Sequence, residues 1–251
     1  MSTAGINTLR KSRFCHSEAV NLMKNNPIDD LETNRPQFHG PENSLTSWAS
    51  QRDVLEFIQS SLGRESNSLE TGCGYSTVIF AATGARHTTV TPARLETQRV
   101  AAYCQEQGIA TDRLAFAIGY SQDMLPALAR QGPLDLVYID GAHRFPYPCI
   151  DWVHTENRLK VGGAMLVDDV RIPTCRILHD YLLAETNWRL ECYFRDTAVF
   201  RKLAEADRTS DWQGQAFNRS YPDWSFLPRS QRPTNLWNRV AGRIARQFGK
   251  S

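Results

Sequence analysis

The chain has no cysteine pair at C-x-x-C spacing, no apolar run long enough to cross a bilayer, and almost no net charge. Its six cysteines stand at 15, 73, 104, 149, 175 and 192, which argues against a zinc cluster or a dithiol redox motif. Reduced thiols in a cytoplasmic protein are the expectation. A membrane span needs about 20 consecutive apolar residues, and none is present. The first twenty residues, MSTAGINTLRKSRFCHSEAV, lack the continuous apolar stretch of a secretory leader. With a net charge of +2, overall electrostatics select no class of partner. No internal repeat is visible. What remains is ordinary for a folded enzyme-sized domain: 251 residues, 41% of them hydrophobic and 10% aromatic, enough for a sizeable core.

The pattern divides the chain into three. Residues 1–43 are mixed and polar, with Pro27, Pro36 and Pro41 opposing a long helix, and read as an arm with one short helix near Glu18–Lys24. Residues 44–204 read as an α/β domain. Ser44–Leu62 is expected to be helical, with Trp48, Val54, Leu55, Phe57, Ile58 and Leu62 on one face. Strands are then expected at 68–71, 87–91, 114–119, 134–140 and 162–169, alternating with helices. One of these, at 92–108, carries Pro92 in its first turn. WRLECYF and TAVFRKL make a terminal antiparallel pair. The alternation predicts a mostly parallel seven-stranded sheet with helices on both faces. Residues 205–251 form a basic extension, in which NLWNRVAGRIARQFGK places Trp237, Val240, Ile244 and Phe248 at helical spacing. Such a helix suits a membrane surface through 235–250, its own domain, or the mate in a homodimer.

The stretch LETGCGYSTVIFA, from Leu69 to Ala81, places Gly72 and Gly74 between a strand and a helix. In open α/β sheets ligands bind at this point, and glycine lets them approach the backbone. A tight turn would use the same residues. A dinucleotide fingerprint would need a third glycine at position 77, which is Thr77, so a pyrophosphate cofactor is disfavoured. Glu70 would repel a pyrophosphate but suits a cationic ligand such as S-adenosylmethionine. The backbone N–H groups and hydroxyls of Tyr75, Ser76 and Thr77, at a helix N-terminus, would hold that ligand's carboxylate or simply cap the helix.

Acids close two neighbouring strands: Asp140 one, Asp168 and Asp169 the next. Three carboxylates in one crevice call for a cation, and hard oxygen donors suit Mg²⁺. The alternative is a polar strand end and a helix cap. His143, in IDGAHRFPYP, is the candidate general base, or a loop histidine bonded to backbone. His154 and His179 fall on expected helices and read as structural, and Cys73 as a small apolar residue.

CGYST (73–77), GYSQDMLPAL (119–128), LDLVYIDGAH (134–143) and MLVDDV (165–170) together resemble the metal-dependent class I S-adenosylmethionine O-methyltransferases, nearest the catechol O-methyltransferase branch. The resemblance covers about residues 68 to 172. It implies the Rossmann-like class I methyltransferase fold. By it, Glu70, Gly72, Ser76 and nearby backbone hold the methionine end of the cofactor, and Ser121 and Gln122 lie around the adenine. Asp140, Asp168 and Asp169 become Mg²⁺ ligands, and His143 stands where that branch has a lysine base. The glycine loop is shorter than in the catechol enzymes. The strand-end acid that grips the ribose is Thr91 here, for which Glu96 on the next helix could substitute. The flanking segments do not match, so the acceptor does not carry over.

The expected activity is therefore methyl transfer from S-adenosylmethionine to a hydroxyl of a small molecule. A different metal-dependent activity on the same fold, or a non-catalytic binding or assembly protein, are the alternatives. Nucleic acid is not an expected partner, because the core shows no basic, aromatic-rich surface. Phe145, Tyr147 and Trp152 line an acceptor pocket or pack on the sheet.

Overall fold

The computed structural model describes residues 26–40, 48–207, 209, 211–220 and 227–232. The helices expected at 18–24 and in the basic tail lie outside them. Helices α1 (Pro27–Asn34) and α2 (Arg52–Ser61) precede an alternating series. It runs β1 (Asn67–Thr71), α3 (Tyr75–Ala82), β2 (Arg86–Thr91), α4 (Arg94–Glu106), β3 (Leu114–Ile118), α5 (Ser121–Leu128), β4 (Leu134–Ile139), α6 (Tyr147–Thr155), β5 (Leu159–Val167) and α7 (Pro173–Ala184). Strands β6 (Trp188–Phe194) and β7 (Thr197–Lys202) end it. One seven-stranded sheet results, in the order β3-β2-β1-β4-β5-β7-β6. The first five strands pair in parallel, and β7 runs antiparallel to both β5 and β6. The strand order reverses between β1 and β4, which opens a crevice at their carboxyl ends.

Both faces of the sheet are covered, which explains why the central strands read as continuous apolar runs. Leu136, Tyr138 and Leu166 point to the face under α1–α4, with Val54, Ile58, Val78, Ile79 and Phe80. Their alternates Val137, Ile139, Met165 and Val167 point to the other, with Leu125, Leu178 and Leu182.

Three expectations change. Pro27 starts a helix rather than breaking one. It stands at the first helical position, where its missing N–H costs nothing, behind Asn26, whose side chain accepts from the Ile28 N–H at 3.1 Å. Ile28, Leu31 and Phe38 are then fully or almost fully buried, so part of the segment read as an arm belongs to the core. Of the helix expected over 44–62, residues 44–47 lie outside the described residues, 48–51 are not helical and α2 starts at Arg52; Trp48 is 69% exposed, its ring against His39 instead of the apolar face. Pro92 precedes α4 and its N-cap Ala93, rather than sitting in the first turn. In the extension, Phe217 packs edge-on against Tyr181 of α7 at 5.7 Å.

Leu31→Ala is expected to lower the unfolding free energy by about 2–5 kcal/mol, as core truncations do. Denaturant titration measures this. A loosely attached arm would give no change.

Candidate active site

Backbone contacts bring the ends of β1 and β4 together. The Asp140 N–H donates to the Thr71 carbonyl at 3.1 Å, the Gly72 N–H to the Val90 carbonyl at 3.0 Å, and the Asp168 N–H to the Ile139 carbonyl at 3.0 Å. Gly72 has φ +100°, and a Cβ there would lie 2.3 Å from the Asp140 carbonyl oxygen. No other residue fits without moving one of the two loops. Gly141 faces Thr71 in the same way, its built Cβ 3.0 Å from the threonine side chain. The glycine loop and the first acid are thus pressed against each other.

Glu70 sits beneath this loop and is 1% exposed. Ser76 donates to one carboxylate oxygen at 2.7 Å. The other receives the hydroxyls of Thr77 and of Thr89 (2.9 Å), with His87 Nε2 at 3.2 Å. Thr77 Oγ1 in turn accepts from the Gly74 N–H at 2.9 Å. Both carboxylate oxygens are occupied by the protein, so Glu70 does not reach the crevice as expected. It braces the loop instead. The side chain at position 77 also explains the absent third glycine: it caps α3 from inside. The Ser76 hydroxyl is committed to Glu70, and the Tyr75 ring packs edge-on against Phe38 at 5.6 Å. What α3 offers a ligand is the unpaired N–H groups of its first turn.

Asp140, His143 and Asp168 each place one donor atom within 4.8 Å of the others. His143 Nε2 is 3.4 Å from Asp140 Oδ1 and is buried without a hydrogen-bond partner. Asp168 accepts from the Thr197 hydroxyl. Asp169 is not in this compact group. Its backbone is left-handed at φ +50°, and its carboxylate meets His143 Nδ1 at 2.9 Å. Burial first, then the Asp168 charge, push the Asp140 carboxyl well above its usual range, against the pull of His143. Burial alone would lower the His143 pKa, but Asp140, Asp169 and Asp168 outweigh it and the net shift is upward. The cluster is short of positive charge. The carboxylates of Asp140 and Asp168 offer hard oxygen donors that fit a divalent cation, with the His143 imidazole at their side.

The remaining expected residues lie around the same edge. Ser121 and Gln122 open α5, and Gln122 Oε1 is buried without a partner. The Thr91 hydroxyl accepts from the Ala93 N–H at 3.2 Å and so serves the turn after β2. Glu96 pairs with His39 Nδ1 at 3.1 Å. Asp151 on α6 was invisible to sequence reasoning. It is 0% exposed, its carboxyl is raised by burial, and the hydroxyls of Ser121 and Thr71 beside it oppose that rise. No motif marks it, because only the docking of α6 on α5 brings it there.

Two expected outcomes follow from this geometry. Gly72→Ala lowers stability by about 1–3 kcal/mol, read by denaturant titration, because strain at φ +100° adds to the collision with Asp140. Asp140 holds its proton more tightly in the folded than in the unfolded chain. The stability tied to that proton is therefore complete below the unfolded pKa and is lost as pH rises through the folded one. Asp140→Asn melts above the parent chain near pH 8 in EDTA, and the gap closes toward pH 4. A lower melting temperature across the whole range would contradict this account.

Residues 69–170 match the family model described as "Methyltransferase domain". A search of the curated proteins finds no match to the chain. Among solved structures, the chain is similar to the O-methyltransferase TomG from Streptomyces achromogenes, solved in complex with SAM. The two share 19% identity with a TM-score of 0.56, over 74% of this chain and 93% of that one. It is also similar to the O-methyltransferase from Bacillus cereus in complex with SAH, at 17% identity and a TM-score of 0.56, over 74% and 94%. Cofactor-bound Rv0187 from MTB gives 19% and 0.56, over 73% and 100%. The strand order with its antiparallel β7 and the likeness to these structures agree on the Rossmann-like class I methyltransferase fold, within which residues 69–170 are similar to a methyltransferase domain.

Proposed function

We propose that the protein transfers the methyl group of S-adenosylmethionine to a hydroxyl of a small acceptor, with a divalent cation, Mg²⁺ as first choice, held by Asp140 and Asp168. The observation that carries this reading is the Asp140–His143–Asp168 group lying directly against the glycine loop, with Gly72 touching the Asp140 backbone. The same edge therefore offers a cofactor cradle and a cation site. The structural neighbours that are O-methyltransferases bound to SAM or SAH support the same choice.

In this reading Gly72 and Gly74 let the methionine end approach the backbone, and the first-turn N–H groups of Tyr75 and Ser76 receive its carboxylate. Ser121 and Gln122 receive the base. Thr91 acts only through the turn that it stabilises. S-adenosylmethionine supplies an activated methyl group, and the cation supplies positive charge that orients the acceptor and favours its ionised oxygen. His143 accepts the acceptor's proton at Nε2. Asp169, at Nδ1, fixes the ring so that Nε2 faces the crevice and stabilises the charge that the ring gains. Proximity within the crevice contributes the rest of the rate.

The test combines binding and turnover. Calorimetric titration with S-adenosylhomocysteine, with Mg²⁺ and then with EDTA, is expected to give micromolar affinity. His143→Ala keeps that affinity within about twofold, yet lowers methyl transfer from labelled S-adenosylmethionine to a panel of phenols and vicinal diols by about 10²-fold or more. Unchanged turnover in His143→Ala removes His143 as the base. Absence of cofactor binding by the unmutated chain removes the whole reading.

A further inference from the structure

The sheet order dictates the path that a bound cofactor takes. Its methionine end would meet α3, which follows β1, and its base would meet α5, which follows β3. Strand β2 lies between β1 and β3, so the ribose must pass over the end of β2. An acid at that strand end is the usual partner of a ribose hydroxyl in such folds. Here the position is Thr91, whose hydroxyl accepts from the Ala93 N–H. A hydroxyl in that place gives the diol no charged acceptor.

A pair of side chains joins the loops that follow β1 and β2. Glu96 lies in the first turn of α4, just past β2. His39 comes from the segment after α1, and its Nδ1 lies 3.1 Å from Glu96 Oε1. The other edge of the ring rests on the glycine loop: a Cβ at Gly74 would lie 3.0 Å from His39 Nε2. The pair therefore bridges the loop after β1 and the start of α4 after β2, the two sides of the path that the ribose takes. It is not needed to attach the segment. Arg99 already binds the Phe38 and Gly40 carbonyls at 3.0 and 2.8 Å, and the Phe38 ring is wedged between Tyr75 and Tyr103. At 15% and 19% exposure, both side chains are sheltered without being fully buried.

We propose that His39 and Glu96 form the clamp for the ribose diol of the cofactor. Glu96 accepts from the diol through the carboxylate oxygen that His39 does not hold. His39 fixes the carboxylate and closes the track above Gly74. The proposal rests on the S-adenosylmethionine reading, and the experiment separates the two.

Titrate the full chain with S-adenosylhomocysteine and with its 2′,3′-dideoxy analogue, for the parent, Glu96→Gln, Glu96→Ala and His39→Ala. Loss of one charge-assisted hydrogen bond corresponds to about tenfold to hundredfold in affinity. Glu96→Ala is expected to weaken S-adenosylhomocysteine by about that factor, Glu96→Gln by less, and His39→Ala by about threefold or more. For the dideoxy analogue, the parent and Glu96→Ala should bind alike, since the groups that the clamp recognises are missing. Melting temperatures close to the parent's confirm that the variants fold. Equal losses for both ligands, or undiminished binding of S-adenosylhomocysteine by Glu96→Ala, overturn the clamp. If the parent itself does not bind S-adenosylhomocysteine, the cofactor reading fails first and the clamp with it.

Discussion

The buried Glu70 carboxylate is the interaction on which the candidate site depends. Three hydroxyls and an imidazole converge on it from β2 and α3, and Thr77 passes the constraint on to the Gly74 N–H. A charge at 1% exposure is tolerable only when its hydrogen-bonding capacity is filled, and here the filling groups are the ones that shape the loop. His87 also bonds Ser68 at 2.8 Å and stacks on Phe80, so the network reaches into the core under α3. The loop above can then present bare backbone to a ligand, because its rigidity comes from below.

A second constraint couples the loop to the acids. The contact between Gly72 and the Asp140 carbonyl fixes the cradle and the first carboxylate relative to one another. The acids themselves are held at a cost. Burial and the Asp168 charge raise the proton affinity of Asp140, and the surrounding carboxylates raise that of His143 against the effect of burial. A site that is electrostatically unfavourable when empty is ready to receive positive charge, either as protons or as a cation. The unpartnered atoms His143 Nε2 and Gln122 Oε1 lie along the same edge. Hydrogen-bonding capacity that is unused inside a fold is capacity available to a ligand.

Much of this was legible from residue order. The alternation of strand and helix patterns placed all seven strands, and the acids at 140, 168 and 169 fell at strand ends as expected. Local patterns misled where tertiary contacts dominate. Pro27 reads equally as a breaker or as a first helical residue, and only the Asn26 cap and the burial of Ile28 and Leu31 decide between them. Trp48 fits an apolar stripe but packs on His39 instead. Glu70 looked like a ligand-facing acid because sequence position shows that a residue lies on a strand, whereas the face that it points to depends on register.

The sequence alone determined the class of the fold, the position of the ligand crevice, and which residue types gather there. Those follow from periodicity, from glycine at a strand-to-helix turn and from acids at strand ends, all local properties. Tertiary structure decided what each side chain does. It turned Glu70 and Ser76 inward and put His143, rather than Asp169, in the compact group. It also brought Asp151 beside Ser121 and joined His39 to Glu96 against the glycine loop. These roles rest on distances between residues far apart in the chain, and such distances exist only once the sheet has its order and the helices are packed upon it.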